Sequence, residues 1–278
     1  MCLKLEAKKI ISNTLFKIMI CSLVLVAILD PVSSYYISKV QNDYTQAIGT
    51  NAFQMWLLMN FTGWGHAFYF SLFFVFPIVS TGFVFFYERS SSIYGITLSK
   101  VPRKKYFLNK IVSVFVVSFL CFLIILVMNL IITYKIFDTK EITGQYYYSV
   151  PQIGSFAKIF YDKNPFIMGV MYCVLNALFQ GMMSMLTFAI HMIGKFKKIY
   201  TAFLIPFIVL YAMEFLFTLL TEYFNKYVYN PILIVQPKAA NVLYEPITGI
   251  NVFVTILVLL IMIILLYFIG MKRNEDVI

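Results

Sequence analysis

The alternation of apolar and polar stretches along this chain predicts a series of membrane-spanning helices. A helix crosses the hydrocarbon core of a bilayer with about 20 apolar residues, and six runs reach or approach that length. In chain order they are 15–37, 67–87, 111–133, 166–193, 199–220 and 249–271. Because lipid offers no partner to an unpaired backbone amide, each run is expected to be helical. The pattern therefore predicts an all-α integral membrane protein with a single transmembrane domain, residues 1–278.

Composition and charge add an orientation to this picture. Only 12% of the residues are charged and 61% are hydrophobic, whereas soluble domains carry about 25% charged residues. Fifteen of the 22 lysines and arginines lie in the N-terminal segment, the second and fourth loops and the C-terminal segment. Cytoplasmic loops are enriched in these residues, so both termini are predicted to be cytoplasmic. The net charge of +10 is then explained by this asymmetry and by attraction to membrane lipid, without nucleic acid.

The N-terminal part of the chain has two irregular features. Residues 3–14 place most of their apolar side chains on one face of a helix and their lysines off it. This predicts an interfacial helix, with an ordinary basic flank of a membrane helix as the alternative. The first span is interrupted by Asp30-Pro31. Either the helix kinks there with Asp30 facing protein or outer water, or Lys17 extends to the inner membrane surface.

Two outer loops contain apolar segments that are too short to span a membrane. Residues 52–61 form one in the first outer loop, and residues 221–247, divided by prolines, contain two more. Irregular backbone is tolerated at membrane depth only where protein or a cavity surrounds it, so 221–247 is predicted to be an outer re-entrant region. Trp56 and Trp64, with many tyrosines in the other outer loops, indicate an aromatic belt at the outer headgroups. Contact with an amphipathic substrate is the alternative.

Signatures of catalysis are weak. Gly194-Lys195 lacks the upstream glycine and the following Ser or Thr of a Walker A loop. Residues 181–185 do not fit the G-x-S-x-G nucleophile elbow. The two histidines, His66 and His191, fall on different spans toward opposite membrane faces, which excludes a metal site built from both. No catalytic residue, cofactor or metal is therefore expected in this chain.

Polar residues inside the predicted spans are informative, because they are costly in lipid. At about 1.5 Å per residue, Asn176 lies about 15 Å and Glu214 about 10 Å from the outer ends of their spans. The two side chains either line a path through the bundle or form one helix–helix hydrogen bond. A stripe of small residues in the fourth span allows close helix packing: Cys173, Ala177, Gly181 and Ser184.

Residues 88–105 form a short capped amphipathic segment with a basic tail. Ser90–Ser92 offer an N-cap and Pro102 ends the helix, which predicts a surface helix over 89–102 that is too short to span. Its apolar face consists of Ile93, Tyr94, Thr97, Leu98 and Val101. The segment either anchors the chain to lipid through its basic tail or docks into a cytoplasmic partner.

This segment resembles the coupling helix of the permease subunits of ABC-2-type exporters. In that family a Glu and a Gly precede a Pro-basic-x-x-Tyr-x-x-x-Lys run. Here these are Glu88, Gly95 and Pro102-Arg103-Lys104-Lys105-Tyr106-Phe107-Leu108-Asn109-Lys110. Asn164-Pro165, Phe179-Gln180-Gly181 and Pro206-Phe207 are similar to family positions in the fourth and fifth spans. The six spans, the N-terminal interfacial helix and the proline-broken outer loop also resemble the family's topology.

The resemblance implies a permease whose ATP hydrolysis, with ATP and Mg, takes place in a separate cytoplasmic ATP-binding-cassette subunit. Two copies, or this chain with a paralogue, then enclose a pathway for a peptide or hydrophobic compound. The residues implied in coupling to the ATPase are Glu88, Ile93, Tyr94, Gly95, Leu98 and Arg103. The candidate pathway residues are Asn176, Gln180 and Glu214. A composition rich in Phe, Ile, Lys, Asn and Tyr indicates a low-GC bacterium, hence a bacterial cytoplasmic membrane.

Other classes of function stay open at this point. A polytopic sensor or immunity protein binds a membrane-active peptide at aromatic outer loops and transports nothing; dependence on an ATPase separates it from an exporter. A proton-coupled carrier depends on an intramembrane acid, for which Glu214 is the candidate. An intramembrane enzyme is disfavoured, because paired acids, a His cluster and a nucleophile elbow are absent from the sequence.

Overall fold

The computed structural model of the protein describes residues 3–40, 52–60, 63–91, 93–137, 151, 154–224, 230–237 and 246–274. This part of the chain is 85% helical and contains no strand, which confirms the predicted all-α fold. In chain order the helices are α1 (Leu3–Ser12), α2 (Thr14–Val40), α3 (Ala52–Met55), α4 (Trp64–Ser71), α5 (Val75–Pro77), α6 (Phe83–Ser90), α7 (Ile93–Lys100), α8 (Arg103–Ile136), α9 (Phe156–Tyr161), α10 (Pro165–Gly194), α11 (Ile199–Phe224), α12 (Pro231–Ile234) and α13 (Gly249–Arg273). A π-helix, Ile78–Gly82, joins α5 to α6.

Five of these helices are long and apolar enough to cross a membrane. They are α2, α8, α10, α11 and α13, and they overlap five of the six predicted spans. A sixth crossing arises when the bent pair formed by Trp64–Ser71 and Val75–Ser90 is counted as one span. The described residues therefore form a membrane protein of five spans, or six with the bent pair. The orientation of the termini stays a prediction.

The predicted second span, 67–87, is not one straight helix. The pair formed by Trp64–Ser71 and Val75–Ser90 bends by 57°. Pro77 is part of the cause, because a proline has no amide hydrogen to donate to the carbonyl four residues earlier. The π-helix directly after Pro77 widens the same stretch. The predicted second span therefore corresponds to two half-helices with irregular backbone between them.

The two ends of the bundle carry different elements. At one end, Asn274 after α13 donates to the carbonyl of Met192 near the end of α10, at 3.0 Å. The chain segment that links α6 to α8 also lies at this end, which we name the terminal end. The short helices α3 and α12 lie at the opposite end. We name it the plug end, because the two buried segments that contain these helices fill it. Both α2 and α8 begin at the terminal end and finish at the plug end.

The centre of the bundle is α10, packed most closely on α8. In the apolar stretch of α10 that could cross the membrane, 67% of the residues are buried inside the protein. The corresponding share is 22% for α11 and for α13. A Cβ added at Gly181 would lie 2.8 Å from Phe115, and one at Gly169 would lie 3.0 Å from Leu130. Gly181, one of the small residues predicted to allow close packing, therefore allows it against α8 of the same chain. The exposed apolar faces of α11 and α13 are suited to lipid.

The N-terminal segment forms a helix of its own, as predicted, but its buried face differs from the predicted one. α1 ends at Ser12 because Asn13 accepts the amide of Leu15 at 2.9 Å and starts α2. Glu6 and Ile10 are buried, whereas Ile11 is 50% exposed. An acidic residue therefore lies on the buried side of a helix whose apolar stripe was expected there.

Candidate functional site

Four charged side chains form a buried cluster at the terminal end, between α1, α6 and α8. Lys9 Nζ lies 3.0 Å from Glu6 Oε1 and 3.1 Å from Glu88 Oε1. Lys110 Nζ lies 3.1 Å from Glu6 Oε2 and also contacts Glu88 Oε2. Tyr106 donates its hydroxyl hydrogen to Glu88 Oε2 at 2.8 Å. Two carboxylates therefore alternate with two ammonium groups, and we name these five side chains the ion cluster.

Helical spacing brings the members of the ion cluster onto common faces. Glu6 and Lys9 are three residues apart on α1, and Tyr106 and Lys110 are four apart on α8. The side chains of Glu6 and Lys110 are each 2% exposed. Removing one partner of a buried ion pair costs about 3–5 kcal/mol, because the remaining charge is left unpaired. The ion cluster therefore fastens three elements together.

Glu88, which the resemblance implies in coupling to an ATPase, is a member of this cluster. It is 9% exposed and reaches α1 and α8 with its two carboxylate oxygens. Glu88 therefore links the end of α6 to both helices. Glu6 was missed by the sequence reasoning, and Lys110 was quoted only as part of a motif. The sequence did contain an indication of this pair, because Lys110 lies beside a long apolar run and a buried lysine there needs an acidic partner.

The surface helix α7 follows α6 after two residues. Gly95 is exposed, and a Cβ added there meets no atom within 4 Å. Leu98 and Val101 are half-buried and pack against the core of the bundle. The side chains of Ile93 and Tyr94 lie outside the described residues, so their docking role stays a prediction. The described part of α7 thus has an open surface position at Gly95 and one edge packed on its own bundle.

Further polar contacts join α7's neighbours to the rest of the terminal end. Arg89 at the end of α6 donates to Asn274 Oδ1 at 3.4 Å, and Asn274 donates to the carbonyl of Gly270 at 2.6 Å. Arg103, which begins α8, has its Nε and Nη2 atoms buried without a hydrogen-bond partner among the described residues. The segments on both sides of α7 are therefore attached to the bundle, one of them through a hydrogen bond to the end of α13.

Two of the three predicted pathway residues lie one turn apart inside α10. Asn176 accepts the hydroxyl hydrogen of Tyr69 at 3.4 Å and donates to the carbonyl of Val235 at 2.7 Å. Gln180 Nε2 donates to the carbonyl of Phe73 at 3.1 Å. Both amides are fully buried. Asn176 therefore contacts the first half of the broken second span, and Gln180 contacts the break itself.

The break explains why Gln180 is needed at this position. Pro77 cannot donate to the carbonyl of Phe73, which is four residues earlier in the chain. A buried carbonyl without a donor costs about 1–3 kcal/mol. Gln180 supplies the missing hydrogen bond from the facing helix. Tyr211 of α11 makes a similar contact, donating its hydroxyl hydrogen to the carbonyl of Ser71 at 2.8 Å.

The same arrangement occurs in α2, which continues through Pro31. This proline leaves the carbonyl of Ala27 without its helical donor, and Asn129 Nδ2 on α8 donates to that carbonyl at 2.9 Å. The other amide atom, Asn129 Oδ1, accepts the backbone amide of Leu57 at 3.3 Å. Asn129 therefore joins a proline position of one span to a buried outer-loop segment. Asn129 was missed by the sequence reasoning, although Pro31 indicated the unpaired carbonyl.

Glu214 does not contact Asn176, so the proposed pairing of these two residues is not formed. Glu214 on α11 is half-buried and accepts the side-chain amide of Asn230 at 3.3 Å. Asn230 caps the start of α12, and Asn176 bonds the carbonyl of Val235 just after its end. The two predicted pathway residues therefore hold opposite ends of one short helix, α12. Whether 221–247 is re-entrant stays a prediction.

A second buried segment, residues 52–60, fills the plug end beside α8. His66 Nδ1 donates to the carbonyl of Leu57 at 2.9 Å. Trp56 is 0% exposed, so the prediction of an aromatic belt is wrong for this residue. Trp64, by contrast, is 43% exposed and donates to Ser33 Oγ at 2.7 Å. We name residues 52–60 the first plug and residues 230–237 the second plug.

The described residues contain no group of three or more His, Cys, Asp or Glu side chains that could hold a metal ion. Comparison of the chain with protein-family models, curated proteins and solved structures finds no match. The functional argument therefore rests on the ion cluster at the terminal end, the broken second span and the two plugs.

Proposed function

We propose that this chain is the membrane-spanning permease subunit of an ATP-binding-cassette exporter. It forms the substrate pathway, with a second copy or a paralogue, and works with a separate cytoplasmic ATPase subunit that holds ATP and Mg. The proposed location is a bacterial cytoplasmic membrane with both termini in the cytoplasm. The proposed substrate is a peptide or a hydrophobic compound.

The observation that carries this proposal is the position of α7 beside the ion cluster. A permease driven by a soluble motor needs a surface element that the motor can push and a stiff connection from it into the bundle. Glu88, five residues before α7 begins, is bound to Lys9 and Lys110. Motion of α7 is therefore expected to move α1 and α8 with it.

The plug end supports the same proposal. Both plugs are buried, and each is bonded to a buried amide side chain. Asn129 bonds the first plug and Asn176 bonds the second. The second span, which leads directly to α7, also contacts Asn176 through Tyr69 and Gln180 through Phe73. A chain of contacts thus runs from α7 through the broken span to the second plug. Irregular backbone at membrane depth occurs where protein surrounds it or where it lines a water-filled cavity, and the proposal assigns it here to the pathway.

The test is purification of the chain from its native membrane in mild detergent, with identification of co-purifying proteins. A stoichiometric soluble ATPase is the expected result. The Gly95→Glu variant is expected to lose it, because its side chain enters open space at the docking surface. The substitution leaves the fold intact, since glycine is the poorer helix former by up to about 1 kcal/mol. The matched control, Ser12→Glu, adds the same charge at another exposed position of the terminal end.

The outcomes separate the proposal from its main alternative. Loss of the ATPase in Gly95→Glu with retention in Ser12→Glu supports docking at α7. Equal retention in both variants contradicts docking at this position. An unmodified chain that captures no ATPase contradicts the permease assignment and favours a sensor or immunity protein that binds a membrane-active peptide.

A further inference from the structure

Asp30 is a fully buried acid in the part of α2 that leads to the plug end. It is 0% exposed. Its Oδ1 atom accepts the backbone amide of Gly65 at 3.0 Å, and its Oδ2 atom has no hydrogen-bond partner among the described residues. A Cβ at Gly65 would lie 2.5 Å from this carboxylate. The acid is thus held tightly against the start of α4, with one oxygen left unused.

No described cation compensates Asp30. Glu6 and Lys9 of α1 belong, with Lys110 and Glu88, to the ion cluster at the terminal end. The contact between Asn129 and Ala27 sets the register of α8 against α2, and Lys110 precedes Asn129 by 19 residues. At about 1.5 Å per residue along α8, Lys110 lies about 28 Å from that contact, in the direction of the terminal end. The ion cluster is therefore too far away to pair with Asp30.

The titratable groups nearer to Asp30 have other positions or partners. On α4, His66 bonds Leu57 and Tyr69 bonds Asn176. On α8, Lys135 is exposed and the Tyr134 ring packs on Phe166 of α10. The π-helix and the first plug contain no titratable residue. A buried carboxyl without a compensating charge at membrane depth is the arrangement expected of a proton-binding group.

Three contacts around Asp30 close the plug end. Trp64 donates to Ser33 Oγ at 2.7 Å, and Asn60 donates to Ser34 Oγ at 3.3 Å. Gly65, bonded to Asp30, is the second residue of α4, so an ionised carboxylate is stabilised there by the helix dipole. These contacts attach α4 and the first plug to the same turn of α2.

We propose that Asp30 binds a proton from water at the plug end, and that this proton releases the first plug. Proton binding at Oδ2 removes the negative charge from the start of α4 and turns an acceptor-only group into one that also donates. The attachment of α4 to α2 weakens, and with it the Trp64 and Asn60 contacts. The first plug then moves toward water. In the structure, with the first plug in place, the indole N–H of Trp56 is buried without a described hydrogen-bond partner. This unpaired donor lowers the cost of moving the plug into water.

The chain has an internal reporter for this movement. Its two tryptophans both lie at the plug end, Trp56 in the first plug and Trp64 at the start of α4, so intrinsic fluorescence of the full chain in nanodiscs monitors the plug end directly. Acid titration at constant salt is expected to give one transition with a red shift of the emission, as Trp56 meets water. A Trp64→Phe variant isolates Trp56 and is expected to keep the transition.

Variants identify the group that binds the proton. Asp30→Asn keeps an acceptor for Gly65 and is expected to lose the transition, whereas Glu222→Gln, an exposed acid on α11, is expected to keep it. Asp30→Glu is expected to shift the pH midpoint of the fluorescence transition. It replaces Asp30→Asn as the test variant if Asp30→Asn does not fold. His66→Gln is expected to keep the transition, since the His66 ring is bonded to the carbonyl of Leu57 in the first plug.

Several results would overturn the proposal. They are an unmodified chain without a transition, a transition that persists in Asp30→Asn, an unchanged midpoint in Asp30→Glu, and loss of the transition in His66→Gln. A spectral change caused by sodium at constant pH would assign the site to a metal cation instead. The proposal and its test are independent of the ATPase, so failure of one leaves the other standing.

Discussion

At the scale of single residues, the most instructive feature is the pairing of prolines with amide side chains on a facing span. Gln180 bonds the carbonyl of Phe73 that Pro77 leaves unpaired. Asn129 does the same for Ala27. A proline inside a predicted span therefore indicates a specific unpaired carbonyl, four residues earlier, and a polar residue elsewhere in the bundle that bonds it.

This relation gives a double-mutant prediction. Gln180→Met is expected to lower the free energy of unfolding by about 1–3 kcal/mol, because the carbonyl of Phe73 is left buried without a donor. In a Pro77→Ala background the new backbone amide supplies that hydrogen, so the same substitution is expected to cost clearly less. Thermal unfolding of the four proteins in detergent measures the coupling. Equal costs in both backgrounds would show that Gln180 does not act on this carbonyl.

The ion cluster gives a second prediction at the same scale. Lys110→Met leaves Glu6 and Glu88 with only Lys9 between them and is expected to cost about 3–5 kcal/mol of stability. The double variant Glu88→Gln with Lys110→Met retains the pair of Glu6 with Lys9 at 3.0 Å. It is therefore expected to be more stable than the single variant. Unfolding in denaturant measures both, and a double variant less stable than Lys110→Met alone would argue against a charge-balanced cluster.

At the scale of elements, the two plugs are short buried segments, and each is bonded to an amide side chain of a long helix. Sequence patterns predicted that 221–247 enters the membrane and identified 52–61 as too short to span. They did not predict what holds these segments, because Asn129 and Asn176 are distant from their partners along the chain. Helix α11 adds Glu214 through Asn230 at the start of the second plug, so that plug is attached at both ends.

Release of the second plug is the prediction for this element. Ile234 is fully buried, so Ile234→Cys in a background without native cysteines is expected to resist a membrane-impermeant maleimide. Adding Asn176→Leu removes the hydrogen bond to Val235 and is expected to make the cysteine reactive. Ile159→Cys, at a position 60% exposed, is the control that reacts in both backgrounds. Continued protection of Ile234→Cys beside Asn176→Leu would mean that this amide does not anchor the plug.

At the scale of the whole molecule, the long apolar runs predicted five spans closely, since each is a continuous helix over nearly the expected residues. The second span was predicted as one run because Pro77 and the π-helix lie inside an unbroken apolar stretch. Hydropathy records only how apolar such a stretch is, not where its backbone breaks.

The candidate site was predictable to a smaller extent. Glu88 was identified through the family resemblance, but its partners are Lys9 and Lys110, which come from two other elements. Asn176 was identified as a polar residue inside a span and Gln180 through the family resemblance, whereas the carbonyls of Val235 and Phe73 that they bond are backbone groups that no side-chain pattern reveals. Residue types therefore indicated where polar groups are buried, and the fold supplied their partners.

The central claim is that α7, the ion cluster and the plug end form one coupled path in a transporter driven by a partner ATPase. The most direct measurement is the labelling rate of Ile234→Cys in the purified complex, in nanodiscs, with and without ATP. The account predicts faster labelling with ATP, and loss of that response in Glu88→Gln with Lys110→Met while the ATPase stays bound. A labelling rate that is the same with and without ATP would contradict it.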